Sequence, residues 1–483
     1  MKTEAMERLL HVCRALTTER DREALLSSIL DTGMDMTGCD AGTLYLLEKD
    51  GLRFCRMVTR SLGIREGGHD APVSMPPVPL DERYVCAWAA LHARTVNTAD
   101  IHGDTRFDFT GSLQYDAMTG YETVSMLVVP MTNDKSEVIG VMQLINALDG
   151  TGTVIPFDPE AGQWIEALAS QAAICITNMQ YTEQISSLLD SLVRALSKAI
   201  DERSRYTANH TRIMAALAER FLDWLETSDT DWQFDGDRRR AFLMSVWLHD
   251  TGKLAIPLEV MDKATRLGAL LPDVEERVRA AGLLNQIAFL ENRISAEESE
   301  HHKEELEQIL AFVLRVNRGG FLSEEDRAYI ERLSEYTFTD ENGETKPLLT
   351  EEELDCLRIP KGTLTAQERS TMESHAAITE RILGSVAFPP LFSQVPVWAS
   401  GHHEFLSGKG YPAHLSGKEI PKETRLLTIL DIFEALTASD RPYKKPIPPA
   451  KALLILEEMA KEGSLDEEVL TLFQESRAWE GVI

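Results

Sequence analysis

The chain has 483 residues, enough for about three domains by the usual length relation, and its 43% hydrophobic and 26% charged residues match ordinary globular usage. A formal net charge of −29 excludes broad nonspecific attraction to DNA, RNA or anionic lipid. Six scattered cysteines with no CxxC pair exclude a disulfide framework or a zinc knuckle and fit a reducing compartment. The N-terminal stretch through Leu26 reads as a charged amphipathic helix rather than a signal peptide. No apolar run approaches the roughly 18 residues of a spanning helix, so a cytoplasmic protein without membrane contact is expected.

From about residue 20 to 176 the patterning is mixed. "AGTLYLLEKDGLRFCRMVTR" predicts a hairpin about Lys49-Asp50-Gly51, and "VSMLVVPMTNDKSEVIGVMQLIN" predicts a second with Asn133-Asp134 at its turn. Helical stretches flank both. Together with "TVNTADIHGDTRFD" and "PFDPEAG", these segments resemble the GAF domains of cyclic-nucleotide phosphodiesterases and bacterial signalling proteins. The resemblance implies an α+β domain over residues 1–178, an antiparallel sheet with flanking helices, holding a small nucleotide or serving only to dimerise. Nucleotide-binding members often carry Asn-Lys, then Phe, then Asp-Glu. Here Ala147 follows Asn146, and Ala161-Gly162 stand after Phe157 where the acids would be.

Residues 179–200 follow with Ile185, Leu188, Leu192, Leu196 and Ala199 at spacings of three and four. That stripe predicts a connecting helix that pairs with a second chain, hence a homodimer. Residues 201–483 then read as almost all helix, an all-α bundle. A Glu-, Arg- and Leu-rich segment at about 264–360 reads as a helical insertion, and its His301 and His302 sit among acids and read as solvated.

Five segments carry chemistry. "RYTANHTR" offers His210, "MSVWLHDTGKLAIP" His249, Asp250 and Lys253, and "ERSTMESHAAITERIL" His375. "GHHEFLSGKGYP" offers His402 and His403, and "LLTILDIFEALTASDRPYK" Asp431, Arg441 and Lys444. In "AFLMSVWLHDTGKL" a helix apolar all round ends on His-Asp, with Gly252 read as its stop. A buried His-Asp pair is costly unless paired or ligating, and the acid inside "LLTILDIFEAL" likewise wants a cation. Five histidines and two aspartates suit two ions about 3.5–4 Å apart. Imidazole with carboxylate suits iron or manganese, with zinc, cobalt or nickel also accepted, over calcium or magnesium.

The order His-Asp-x-Gly-Lys, His-His-Glu-x-x-x-Gly-x-Gly-Tyr-Pro and Asp-x-Phe-x-Ala-Leu-Thr…Arg-Pro-Tyr-Lys resembles the HD-GYP subgroup of the HD phosphohydrolases from about Ser187 to Phe473. The resemblance implies a bacterial phosphodiesterase that hydrolyses cyclic di-GMP to linear pGpG or GMP, with a hydroxide bridging two metals. It makes His210, His249, Asp250, His375, His402, His403 and Asp431 the metal ligands, with Asp250 bridging. Lys253, Arg441 and Lys444 would meet the phosphates, and Gly410, Tyr411 and Pro412 would frame the pocket. The chain departs from the pattern at Tyr206, where a glutamate brings some members a third metal. It also departs at Ser407, at Thr379, in the offset of Arg441, and at Glu434 in place of an aspartate. Cyclic GMP-AMP, a cyclic mononucleotide or a linear nucleotide are alternative substrates, and a nucleotide-binding receptor is the alternative outside enzymes.

Overall fold

The computed structural model describes residues 21–204, 209–438 and 446–483, so Tyr206, Arg441 and Lys444 lie outside the described residues. The chain divides into two compact units, residues 1–188 and 189–483.

The first unit opens on α1 (Arg22–Thr37), capped by Asp21, whose carboxylate accepts from Glu23 N and Ala24 N, and closed by Gly38 at φ 65°. Both expected hairpins form: β1 (Cys39–Glu48) with β2 (Gly51–Thr59), and, after β3 (Ile64–Gly67), α2 (Val85–His92), β4 (Val96–Thr98) and α3 (Thr110–Thr119), β5 (Met126–Thr132) with β6 (Val138–Leu148). β7 (Val154–Ile155) pairs with β6, and the sheet order β3-β2-β1-β6-β5-β4 is antiparallel at every pairing. One apolar cluster joins Leu25, Ile29 and Met34 of α1 to Leu144, Leu168 and Ala172, and a second joins Tyr45, Val128 and Val141 to Val85 and Ala89 of α2. Nearly all of β1 is buried, because the sheet is covered on both faces. Asn146 serves the local backbone, sitting at φ 57°, where its Oδ1 accepts from Val124 N and its Nδ2 donates to Tyr121 and Glu122 O.

Residues 179–200 are the C-terminal part of one 43-residue helix, α4 (Pro159–Asp201), rather than a separate element. On it Ile185, Leu188, Leu192 and Leu196 are 42–59% exposed.

The second unit packs α5 (His210–Thr227) and α6 (Gly236–Leu248) with α12, α13, α14, α15 and α16 (Ala366–Gly384, Val395–Ser400, Lys422–Thr437, Pro449–Lys461, Glu467–Ser476). Phe221, Phe242, Phe433 and Phe473 anchor the core they share. After the short α7 (Leu258–Met261), the insertion comprises α8 (Leu271–Leu290), α9 (Ala296–Asn317), α10 (Glu324–Leu333) and α11 (Glu351–Leu357). It is not wholly helical: β8 (Thr337–Thr339) and β9 (Thr345–Pro347) form a hairpin. Its turn is set by Asp340, whose carboxylate accepts from the backbone of Asn342 and Glu344. The insertion has its own core, including Val274, Val313, Ile330 and Leu348, and His301 and His302 are exposed.

Arg266, 1% exposed, closes the base of the insertion by donating to the carbonyls of Val316, Gly320 and Ile359. Lys263 adds a 2.7 Å pair with Glu368. Arg266→Met would leave three carbonyls short of a donor, and each buried unsatisfied group costs about 1–3 kcal/mol. Urea unfolding is expected to show a lower midpoint with an early transition. Among the described residues no helix is long and apolar enough to cross a membrane.

Candidate metal centre

The site lies where five pieces of the second unit meet. His210 begins α5, His249 caps α6, His375 lies in the middle of α12, and Asp431 lies within α14. His402 and His403 follow α13 directly.

Gly252 plays a different part from the helix stop expected of it. Its φ is not positive; it is glycine because α12 passes so close that a Cβ would lie 1.9 Å from His375 O and 2.8 Å from Thr379 N. Thr379 locks the approach, accepting from Gly252 N at 2.8 Å and donating to His249 O at 3.0 Å. This contact brings His249-Asp250 against His375.

All seven expected ligands converge. Asp250 Oδ2 lies 3.5 Å from His210 Nε2 and 3.2 Å from His249 Nε2; its Oδ1 lies 3.5 Å from His375 Nε2 and 3.9 Å from His402 Nε2. Asp431 Oδ1 is 3.4 Å from His210 Nε2, and its Oδ2 is 3.9 Å from His403 Nδ1. One carboxylate thus faces two imidazole pairs, one pair per oxygen.

The outer nitrogens fix what the inner ones can do. His249, His375 and His402 donate Nδ1–H to the carbonyls of Val246, Met372 and Ala399 at 2.6–2.8 Å, and His210 Nδ1 meets Glu434 Oε2 at 2.5 Å. With Nδ1 protonated, each neutral ring turns a lone pair inward from Nε2. Two such pairs oppose each other at 3.2 Å (His210, His249) and 3.4 Å (His375, His402). Lone pairs at that distance repel unless a cation lies near.

Electrostatics agree for three of the rings and not for His249, which, against the effect of burial, Asp250 and Asp431 raise above the usual imidazole range. Burial pushes His402 well below the usual imidazole range, with His403 adding to it, and burial also lowers His375. His403 is pushed down to about 4 by burial, against the pull of Asp431. Burial would raise Asp250, yet His249 and Lys253 hold it well below the carboxylate range. Asp250 Oδ1 is buried without a hydrogen-bond partner. The residues therefore fit divalent cations: neutral imidazoles and two carboxylates, one with an orphaned oxygen.

Of the expected substrate contacts, Lys253 Nζ lies 2.5 Å from Asp250 Oδ2 and is partly exposed. Tyr411 stacks on His403 with ring centroids 4.7 Å apart. Gly410 lets the loop fold back on itself, since a Cβ there would lie 2.5 Å from His403 O. Pro412 follows in the same loop. Two acids were missed. Buried Glu404 accepts from Ala413 N at 2.7 Å and Leu415 N at 3.0 Å, pinning that loop. Glu434, read only as a departure, orients His210. The Glu that completes His-His-Glu was the one signal available for the first; a carboxylate one helical turn past Asp431 was the signal for the second. Glu434→Ala is expected to lower metal affinity about 10–100-fold, as loss of such a partner does, read by competition with a chelating dye.

The family model for the GAF domain matches residues 21–176, and that for the HD domain matches residues 352–469. The chain joins a GAF domain to an HD domain. The HD match contains His375, His402, His403 and Asp431, while His210, His249 and Asp250 come from upstream of it. The chain is similar to the 3'3'-cGAMP-specific phosphodiesterase 3 of Vibrio cholerae, 43% identical over 97 residues, covering 20% of each chain. It is 35% identical over 111 residues to a cyclic di-GMP phosphodiesterase of Vibrio cholerae, covering 22% of each. To a cyclic di-GMP phosphodiesterase of Thermotoga maritima it is 35% identical over 106 residues, covering 22% of this chain and 28% of that protein. The match thus spans 20–28% of the length of these curated relatives.

Proposed function

We propose that the HD domain is a metal-dependent phosphodiesterase of the HD-GYP kind that hydrolyses a cyclic dinucleotide, cyclic di-GMP first, to linear pGpG or GMP. The observation that carries this reading is Asp250 shared between two imidazole pairs, with the lone pairs of each pair facing one another. His210, His249 and Asp431 would hold one ion and His375, His402 and His403 the other, iron or manganese first, with Asp250 between them. Bound there, the ions supply Lewis acidity and an activated water near neutral pH.

The chain's own residues do the rest. Lys253 brings positive charge beside Asp250 and offsets charge on the phosphate oxygens, an effect that is large where water is excluded; Arg441 and Lys444 are assigned the same role. The loop through Gly410, Tyr411 and Pro412, pinned by Glu404, holds the nucleotide. This island of positive charge is what an otherwise acidic cytoplasmic protein needs to admit a dianion. The GAF domain would regulate the reaction, and the exposed stripe on α4 supports a parallel homodimer.

Cyclic GMP-AMP is the second reading, favoured by the 43% identity to a cGAMP-specific relative. The test is anaerobic purification with metal analysis, then incubation with cyclic di-GMP, cyclic GMP-AMP, cyclic AMP and cyclic GMP. Linear pGpG or GMP, absent with the Asp250→Asn protein, is the expected result. Metal without cleavage of any of the four would remove the substrate class. Neither metal nor cleavage would leave a nucleotide receptor.

A further inference from the structure

The GAF domain encloses a cavity of about 550 Å³, inside the range of about 300–1,000 Å³ usual for small-molecule sites. Tyr45 and Phe54 of the sheet form one wall, with ring centroids 4.7 Å apart. The stiff segment Met75 to Pro79 forms another, and α3 covers the mouth through Ser112, Tyr115 and Met118.

Three observations say what belongs inside. The lining contains no Lys, Arg or His, and its one carboxylate is Asp108, whose bonds from the Thr110 hydroxyl and amide keep it below the usual range. A phosphate there would meet one carboxylate and no cationic side chain in a mostly apolar space, with only the amides at the start of α3, beside the lining residues Gly111 and Ser112, to offset its charge. Secondly, α3 buries none of its own residues, and Met118 lines the cavity while 81% exposed. A helix laid over a cavity and tied to the domain by polar bonds, Tyr115 to Thr59 and Asp116 to Thr123, has little of the apolar packing that holds a helix down. Thirdly, Gln143, 6% exposed, receives the Tyr45 hydroxyl on Oε1 at 2.9 Å, but its Nε2 reaches only Met126 Sδ at 3.4 Å. Thioether sulfur is a weak acceptor, so a buried amide donor at the cavity wall lacks a strong partner.

We propose that this cavity binds an uncharged, largely apolar planar molecule carrying a hydrogen-bond acceptor for Gln143, with α3 closing over it, and that it does not take a nucleotide phosphate. The proposal stands on the GAF domain alone and is independent of the metal centre.

The test uses the full chain and Nile red, a neutral planar dye with a carbonyl acceptor. Saturable fluorescence enhancement at one site per chain is expected. Ser112→Trp fills the space from a helix none of whose residues is fully buried, so folding is not at risk, and it is expected to weaken the dye at least tenfold. Gln143→Leu, which removes the amide donor, is expected to weaken it several-fold. Cyclic GMP and cyclic AMP at millimolar concentration are expected to leave the dye bound. Displacement by either nucleotide would overturn the proposal. So would absence of saturable binding, or dye affinity unchanged in both variants.

Discussion

On the proposed two-ion reading, the Asp250→Asn protein is expected to lose metal from both halves of the candidate centre at once. Each oxygen of Asp250 faces two imidazole Nε2 atoms at 3.2–3.9 Å. An amide of the same shape removes the negative charge that both halves share. Whichever way it turns, it presents N–H groups to one pair of lone pairs. The remaining four histidine rings tied through Nδ1 stay held by Val246, Met372, Ala399 and Glu434, so the scaffold is expected to stay folded while the centre empties. Partners that merely orient ligands are worth about 10–100-fold; removal of the shared ligand is expected to exceed the upper end in both metal affinity and turnover. Metal content by mass spectrometry beside circular dichroism checks this. A variant that keeps one half fully loaded would deny Asp250 its shared position.

Gly252→Ala is expected to do comparable damage without touching a ligand. The added carbon would lie 1.9 Å from the carbonyl oxygen of His375 and 2.8 Å from its carbon. Backbone, unlike the end of a side chain, cannot swing aside, so α12 must move away from the segment after α6. Overpacking of this kind costs about 1–3 kcal/mol, occasionally more. The movement also stretches the Thr379 bonds to Gly252 N and His249 O and draws His375 away from Asp250. A lower melting temperature together with reduced metal content is the expected result. Loss of stability with full metal content would show that the contact supports the fold but not the centre.

The convergence of the candidate ligands was legible because their cost was. A histidine and an aspartate closing an apolar helix, or an aspartate inside "LLTILDIFEAL", have few explanations besides a cation. Both hairpins of the GAF domain were equally plain, since strand alternation and turn residues are local signals. What escaped depends on pairs far apart in sequence. Glu434 meets His210 across 224 residues, and the backbone amides held by Glu404 come from a loop whose fold no periodicity reports. Gly252 was noticed for a reason that local rules supply, a helix stop, whereas its actual cause is the passage of another helix. The β8–β9 hairpin is two strands of three residues each, too short to imprint alternation on a Glu-rich stretch. Arg266 carries no sequence signal at all, because its partners are main-chain carbonyls.

The clasp made by Arg266 bears on the order in which the molecule assembles. The Thr379 hydroxyl must find His249 across 130 residues of chain, and the Arg266 bond to Ile359 spans 93 of them. If the insertion condenses first, its two ends are already together, and the search that remains is over only a few dozen residues. Loop entropy rises by about 0.6 kcal/mol for each doubling of length, so the early clasp spares the later step on the order of 1 kcal/mol. In that order of assembly, a segment that contributes no candidate ligand would act as an internal folding aid for the candidate ligands on either side. A newly made chain with a weakened insertion would be expected to reach its metal-loaded state late, even where the finished centre is sound.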